Sequence, residues 1–77
     1  MSKAAKLKIR LLNGRIDARA LRTLLKLEGW TLDRVRGSHE IWEKDAKTFV
    51  LATHSSDLKA YQIKAARSIL YGEEEKK

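Results

Sequence analysis

The chain contains no cysteine, which excludes disulfide bridges and thiolate zinc sites. Histidine is scarce: only His39 and His54 are present, and no HExxH-like spacing turns either into a metal ligand. Neither a metal nor another cofactor is expected. No apolar run approaches the length needed to span a membrane, and the basic N-terminus lacks the apolar centre of a secretory signal. The expectation is a cytoplasmic protein. Its 77 residues suffice for one domain, near the lower limit for folding without staples. Within that single domain, residues 1–16 read as a helical extension, 17–72 as the core and 73–77 as a frayed tail.

Positive charge is abundant and unevenly spread. The formal net charge is +7. Residues 1–36 hold ten Lys and Arg against Asp17, Glu28 and Asp33, whereas residues 37–77 hold seven of each sign. The whole excess therefore sits in the first half, where it can grip a polyanion. Solubility alone would explain a diffuse charge; clustering favours nucleic acid.

The N-terminal stretch "SKAAKLKIRLLNGR" carries two periods, with Leu7, Ile9 and Leu11 alternating while Ala4, Leu7, Leu11 and Leu12 recur at helical spacing. Good helix formers and the Asn13-Gly14 stop decide for a helix. In "DARALRTLLKLEG", Asp17 can cap the first exposed amides, and Leu21, Leu24, Leu25 and Glu28 form one stripe before Gly29. Arg19, Arg22 and Lys26 fall on the other side, as a solvated face would. Beyond Gly29 the period shortens: "WTLDRVR", "HEIWEKD" and "KTFVLAT" read as strands broken at Gly37-Ser38 and Asp45-Ala46. Trp30, Trp42, Phe49 and Leu51 are core candidates. A last helix follows in "SSDLKAYQIKAARSILYG", with Ile63, Ala66, Ile69 and Leu70 at helical spacing and Gly72 as its stop. The order predicts an α+β fold, a two-layer sandwich with helices on one face of a three-stranded antiparallel sheet, preceded by one more helix. The other sheet face stays open to a ligand.

That open face is where chemistry is expected. With a turn around Asp45 to Thr48, His39 falls opposite or diagonal to residues 53 to 55, hence near His54. Gly37 and Ser38 add little bulk beside His39, so a substrate backbone can approach. Arg34 and Arg36 on the preceding strand can bind phosphate. Such a set suits RNA cleavage without metal. The 2′-hydroxyl must lose a proton, the departing 5′-oxygen must gain one, and guanidinium groups can stabilise the phosphate charge. Imidazole can serve either proton transfer near neutral pH. His39 is the catalytic candidate; Arg34, Arg36, Ser38, His54 and Lys59 are the RNA-binding candidates.

The run from Asp17 to about Leu70 resembles the HicA family of toxins from bacterial toxin–antitoxin modules. The resemblance rests on "LRTLLKLEGW", the strand leading to "RGSH", a third strand ending at His54, and "KAARSIL". Gly-Trp followed, after a strand, by Arg-Gly-Ser-His is its most specific part. It implies a double-stranded-RNA-binding-like fold, an endoribonuclease acting on mRNA, catalysis by the Gly-Ser-His histidine (here His39), and a HicB antitoxin as partner. A proline often neighbours the family's second histidine, whereas Thr53 and Ser55 flank His54 here. One alternative is a non-catalytic RNA-binding module of the same fold, in which His39 donates a hydrogen bond. Another is a DNA-binding regulator, although the chain offers no convincing recognition helix.

Overall fold

The computed structural model describes residues 2–52 and 58–72. Their elements run α1 (Lys3–Leu12), α2 (Ala18–Leu27), β1 (Thr31–Arg36), β2 (His39–Lys44), β3 (Lys47–Ala52) and α3 (Ala60–Tyr71). The α+β order and the antiparallel sheet β1-β2-β3 match the expectation. Local chemistry explains the boundaries. Ser2 Oγ accepts from the Ala5 amide at 3.1 Å and Asp17 Oδ1 from the Ala20 amide at 2.8 Å, so each of the first two helices starts on a side-chain cap. Their last turns close at Gly14 and Gly29. The third helix begins at Ala60, after Lys59 as an N-cap that makes no side-chain hydrogen bond, five residues after the start of the predicted segment.

Two tight hairpins build the sheet, with two-residue turns at Gly37-Ser38 and Asp45-Ala46. Gly37 has a φ of +62°, a left-handed value that a side chain would oppose. Asp45 reaches a similar φ of 56°, which aspartate tolerates better than most residues.

Cross-strand partners share a sheet face, so the register sorts the side chains. Leu32–Trp42–Phe49 and Val35–Glu40–Leu51 form rows facing the helices. Trp42, Phe49 and Leu51 there meet Leu21, Leu24 and Leu25 of α2 and Ala66 of α3 in one core, joined by Trp30, Leu7 and Leu11. All four core candidates of the strand region are buried. Helix α1 packs against α2 and α3, placing its Leu7 and Leu11 against the helix layer.

Polar ties fix how the layers sit. Arg22 lies over Glu40, its Nε–H shared between the two carboxylate oxygens at 3.0 and 2.8 Å, and the Trp42 indole N–H donates to the same carboxylate at 3.1 Å. Six residues further on, at the C-terminal end of α2, the Glu28 carbonyl accepts from Lys44 Nζ at 2.7 Å. Helix α2 therefore runs along β2, its first half at the His39 end. Arg22 was expected on the solvated side with Arg19 and Lys26. It is instead half-buried, because an inward Glu40 must be paired to be buried at all. At the other end, Tyr71 Oη donates to Glu28 Oε2 at 2.8 Å, and Lys8 Nζ sits 4.4 Å from the Tyr71 ring centroid. Burial, and then the Glu28 carboxylate, push the Tyr71 phenol pKa well above its ordinary value.

Candidate functional site

The sheet face turned away from the helices carries the rows Arg36–His39–Ala52, Arg34–Ile41–Val50 and Thr31–Glu43–Thr48. Arg36 and His39 are direct cross-strand partners flanking the Gly37-Ser38 turn; such partners hold their Cβ atoms about 4.5–5.5 Å apart. Arg34 lies one row further on, so three exposed candidates share one face and one end of it.

A bulge makes this sharing possible. Leu32 and Arg34 have the same parity, and strict alternation would send both to the same side of the sheet. The register shifts between Leu32 and Arg34, with Asp33 as the extra residue. Leu32 and Val35 then face the helices, while Arg34 and Arg36 face outward with His39. Sequence reasoning missed this feature, although an aliphatic and a basic residue of equal parity on one strand was its signal. The bulge also brings Asp33 Oδ2 within 2.6 Å of Arg34 Nη1. Arg34 is thus partly neutralised by its neighbour, whereas Arg36 makes no ion pair among the described residues.

The remaining candidates are less concentrated. Ser38 is half-buried in the turn. Lys59 is exposed at the start of α3, off the strand face that holds the arginines. His54 lies outside the described residues. The partner of His39 on β3 is Ala52, one residue short of the predicted 53–55, because the turn closes at Asp45-Ala46 rather than extending to Thr48. A cavity of about 320 Å³ lies at the corner of α1 and α2, lined by Arg10, Arg15, Asp17, Leu58 and Ile63 among others. Among the described residues, no three His, Asp or Glu side chains are grouped to hold a metal ion, and no helix is long and apolar enough to cross a membrane.

The family model for the HicA toxin of bacterial toxin–antitoxin systems matches residues 18–70, from the first residue of α2 to the penultimate residue of α3. The chain belongs to the HicA toxin family. It is thereby a toxin of a toxin–antitoxin pair, with an antitoxin as its partner. No curated protein and no solved structure matches it significantly. Helix α1 lies outside the family match.

Proposed function

We propose that this toxin is a metal-independent endoribonuclease that cleaves mRNA in the cytoplasm and is neutralised by a HicB-type antitoxin. The observation that carries the reading is the row Arg36–His39 on the open face, with Arg34 beside it. In the proposed reaction the ribose 2′-oxygen loses its proton and attacks the adjacent phosphorus. The bond to the 5′-oxygen breaks, leaving a 2′,3′-cyclic phosphate and a protonated 5′-hydroxyl. One imidazole, that of His39, serves one of these two proton transfers. Arg36 and Arg34 meet the charge that grows on the non-bridging oxygens, and the exposure of Arg34, Arg36 and His39 leaves a polymer room to approach. Ser38, Lys59 and His54 contribute contacts to RNA around this centre.

His39→Ala tests the reading. His39 is exposed, so core packing demands little of it, and the variant should keep native circular dichroism and RNA affinity. Its cleavage of an unstructured RNA should fall by about 10²–10⁴, the usual loss for one general acid–base group, and growth inhibition should disappear with it. His54→Ala should cost less. Unchanged cleavage by folded His39→Ala protein would overturn the assignment. Activity that vanishes with EDTA on that substrate and returns with magnesium would overturn the metal-free mechanism.

A further inference from the structure

We infer that the strip between α2 and β1, on the helix side of the sheet, is the seat of an acidic amphipathic helix of the antitoxin. The inference rests on membership of the toxin–antitoxin family and not on the nuclease reading. The helix-facing side of the sheet has three columns of side chains, and the two helices against it cover two. Helix α2 lies over β2 through Arg22–Glu40 and Lys44–Glu28, and α3 packs against β3. The third column, on β1, is left over. Leu32 is 44% exposed and Val35 56%, although Trp42, the row partner of Leu32, is 1% exposed.

The wall of this strip carries one uncompensated cation, Lys26, beside Arg22, whose charge Glu40 neutralises. Arg22 stands at the row of Val35 and Glu40. Lys26 is one helical turn further on, about 5.4 Å along the axis, and side chains four residues apart share a helix flank. The next row of the strand, about 7 Å on, holds Leu32. Lys26 therefore tracks Leu32 as Arg22 tracks Val35, and the Lys26 ammonium makes no hydrogen bond or ion pair among the described residues.

This chemistry selects the occupant. An aliphatic floor without an aromatic platform offers RNA bases nothing to stack on, whereas apolar side chains of a protein would bury Leu32 and Val35 at about 25 cal/mol per Å². A strand added to the edge of β1 would meet the Asp33 bulge, which interrupts the ladder. A helix laid on the strip needs no ladder. It would complete the helix layer with apolar residues at i, i+3 or i+4, and i+7, and would present carboxylates to Lys26. Because the strip and the His39 face are opposite sides of the sheet, this grip lies apart from the RNA contacts.

Since the chain has no cysteine, Val35→Cys introduces a single thiol at the strip. With the purified cognate antitoxin as the probe, maleimide labelling of that thiol should slow at least tenfold, and an RNA oligonucleotide should leave it unchanged. Val35→Glu and Lys26→Glu, both exposed positions, should each weaken antitoxin affinity tenfold or more at unaltered melting temperature. Antitoxin that neither protects the thiol nor senses the two substitutions would overturn the inference. So would protection by RNA, protection that rises with toxin concentration alone (a second copy), or a strip covered until residues 73–77 are deleted (the chain's own tail). Cleavage is scored separately: a toxin that cuts no RNA yet shows antitoxin protection loses the nuclease reading and keeps the strip.

Discussion

Two arginines two residues apart on the same strand face are not equivalent. Asp33 holds Arg34 at 2.6 Å, while Arg36 stands across from His39 without an ion pair among the described residues. Exposed pairs such as Asp33–Arg34 contribute little to stability, about 0–1 kcal/mol, but they compete with a phosphate for the same guanidinium. Arg36→Ala should therefore reduce RNA affinity more than Arg34→Ala. It should lower the slope of log affinity against log salt by about 0.7, the share of one phosphate contact on a single strand. Asp33→Asn should raise affinity and steepen that slope. Titrations between low and high salt check all three. A flat salt response in the parent protein would remove the electrostatic basis for reading residues 1–36 as an RNA grip.

Among the elements, β1 and its turn hold the most information about the site. If the bulge only accommodates the equal parity of Leu32 and Arg34, deleting Asp33 should restore plain alternation with the same partition of faces. That variant should fold, keep Arg34 and Arg36 on the open side, and cut RNA at least as well as the parent. A collapse of its circular dichroism would show that the bulge itself stabilises the strand. Gly37→Ala meets no atom within 4 Å of the new Cβ, so its cost is conformational alone, about 1–2 kcal/mol for a left-handed residue. Thermal unfolding should report that loss. Much of this architecture was legible beforehand, because it rests on local signals: the Asp17 cap, the leucine stripe of α2, and the glycine stops and two-residue turns. What was not legible depends on partners distant in sequence. Helical spacing put Arg22 with the solvated cations, and only the inward Glu40, 18 residues away, draws it under. Residue parity likewise cannot reveal a bulge until a neighbouring strand fixes the register. At the site, the strand positions of Arg34, Arg36 and His39 followed from pattern, whereas the role proposed for His39 came from the Arg-Gly-Ser-His order more than from physical reasoning.

For the molecule as a whole, stability is drawn from a part that the family match leaves out. Helix α1 buries Leu7 and Leu11 against α2 and α3, and burying two leucines is worth roughly 3–6 kcal/mol, a large fraction of what a domain of this size retains. Deleting residues 1–16 should lower the melting temperature sharply and expose apolar surface to a dye such as ANS, while leaving the open-face residues in place. The node of Lys8, Tyr71 and Glu28 ties the same helix down from the far end. Because the Tyr71 phenol is held protonated beyond its ordinary range, its contribution is complete below about pH 10, the unfolded value. It is lost as pH rises from there through the higher folded value. Melting temperature should fall on the alkaline side of pH 10, and Tyr71→Phe should flatten that fall while costing about 0.5–1.5 kcal/mol at neutral pH for the lost hydrogen bond.

The seating of α1 on the helix layer also has a practical side. A reporter such as a fluorescent protein, joined ahead of Ser2, would be attached to the element that packs on α2 and α3 instead of to the strands that carry His39. A toxin tagged in this way should retain cleavage and antitoxin control, so that the pair can be followed in living cells. The same cargo placed within the Gly37-Ser38 turn should silence it.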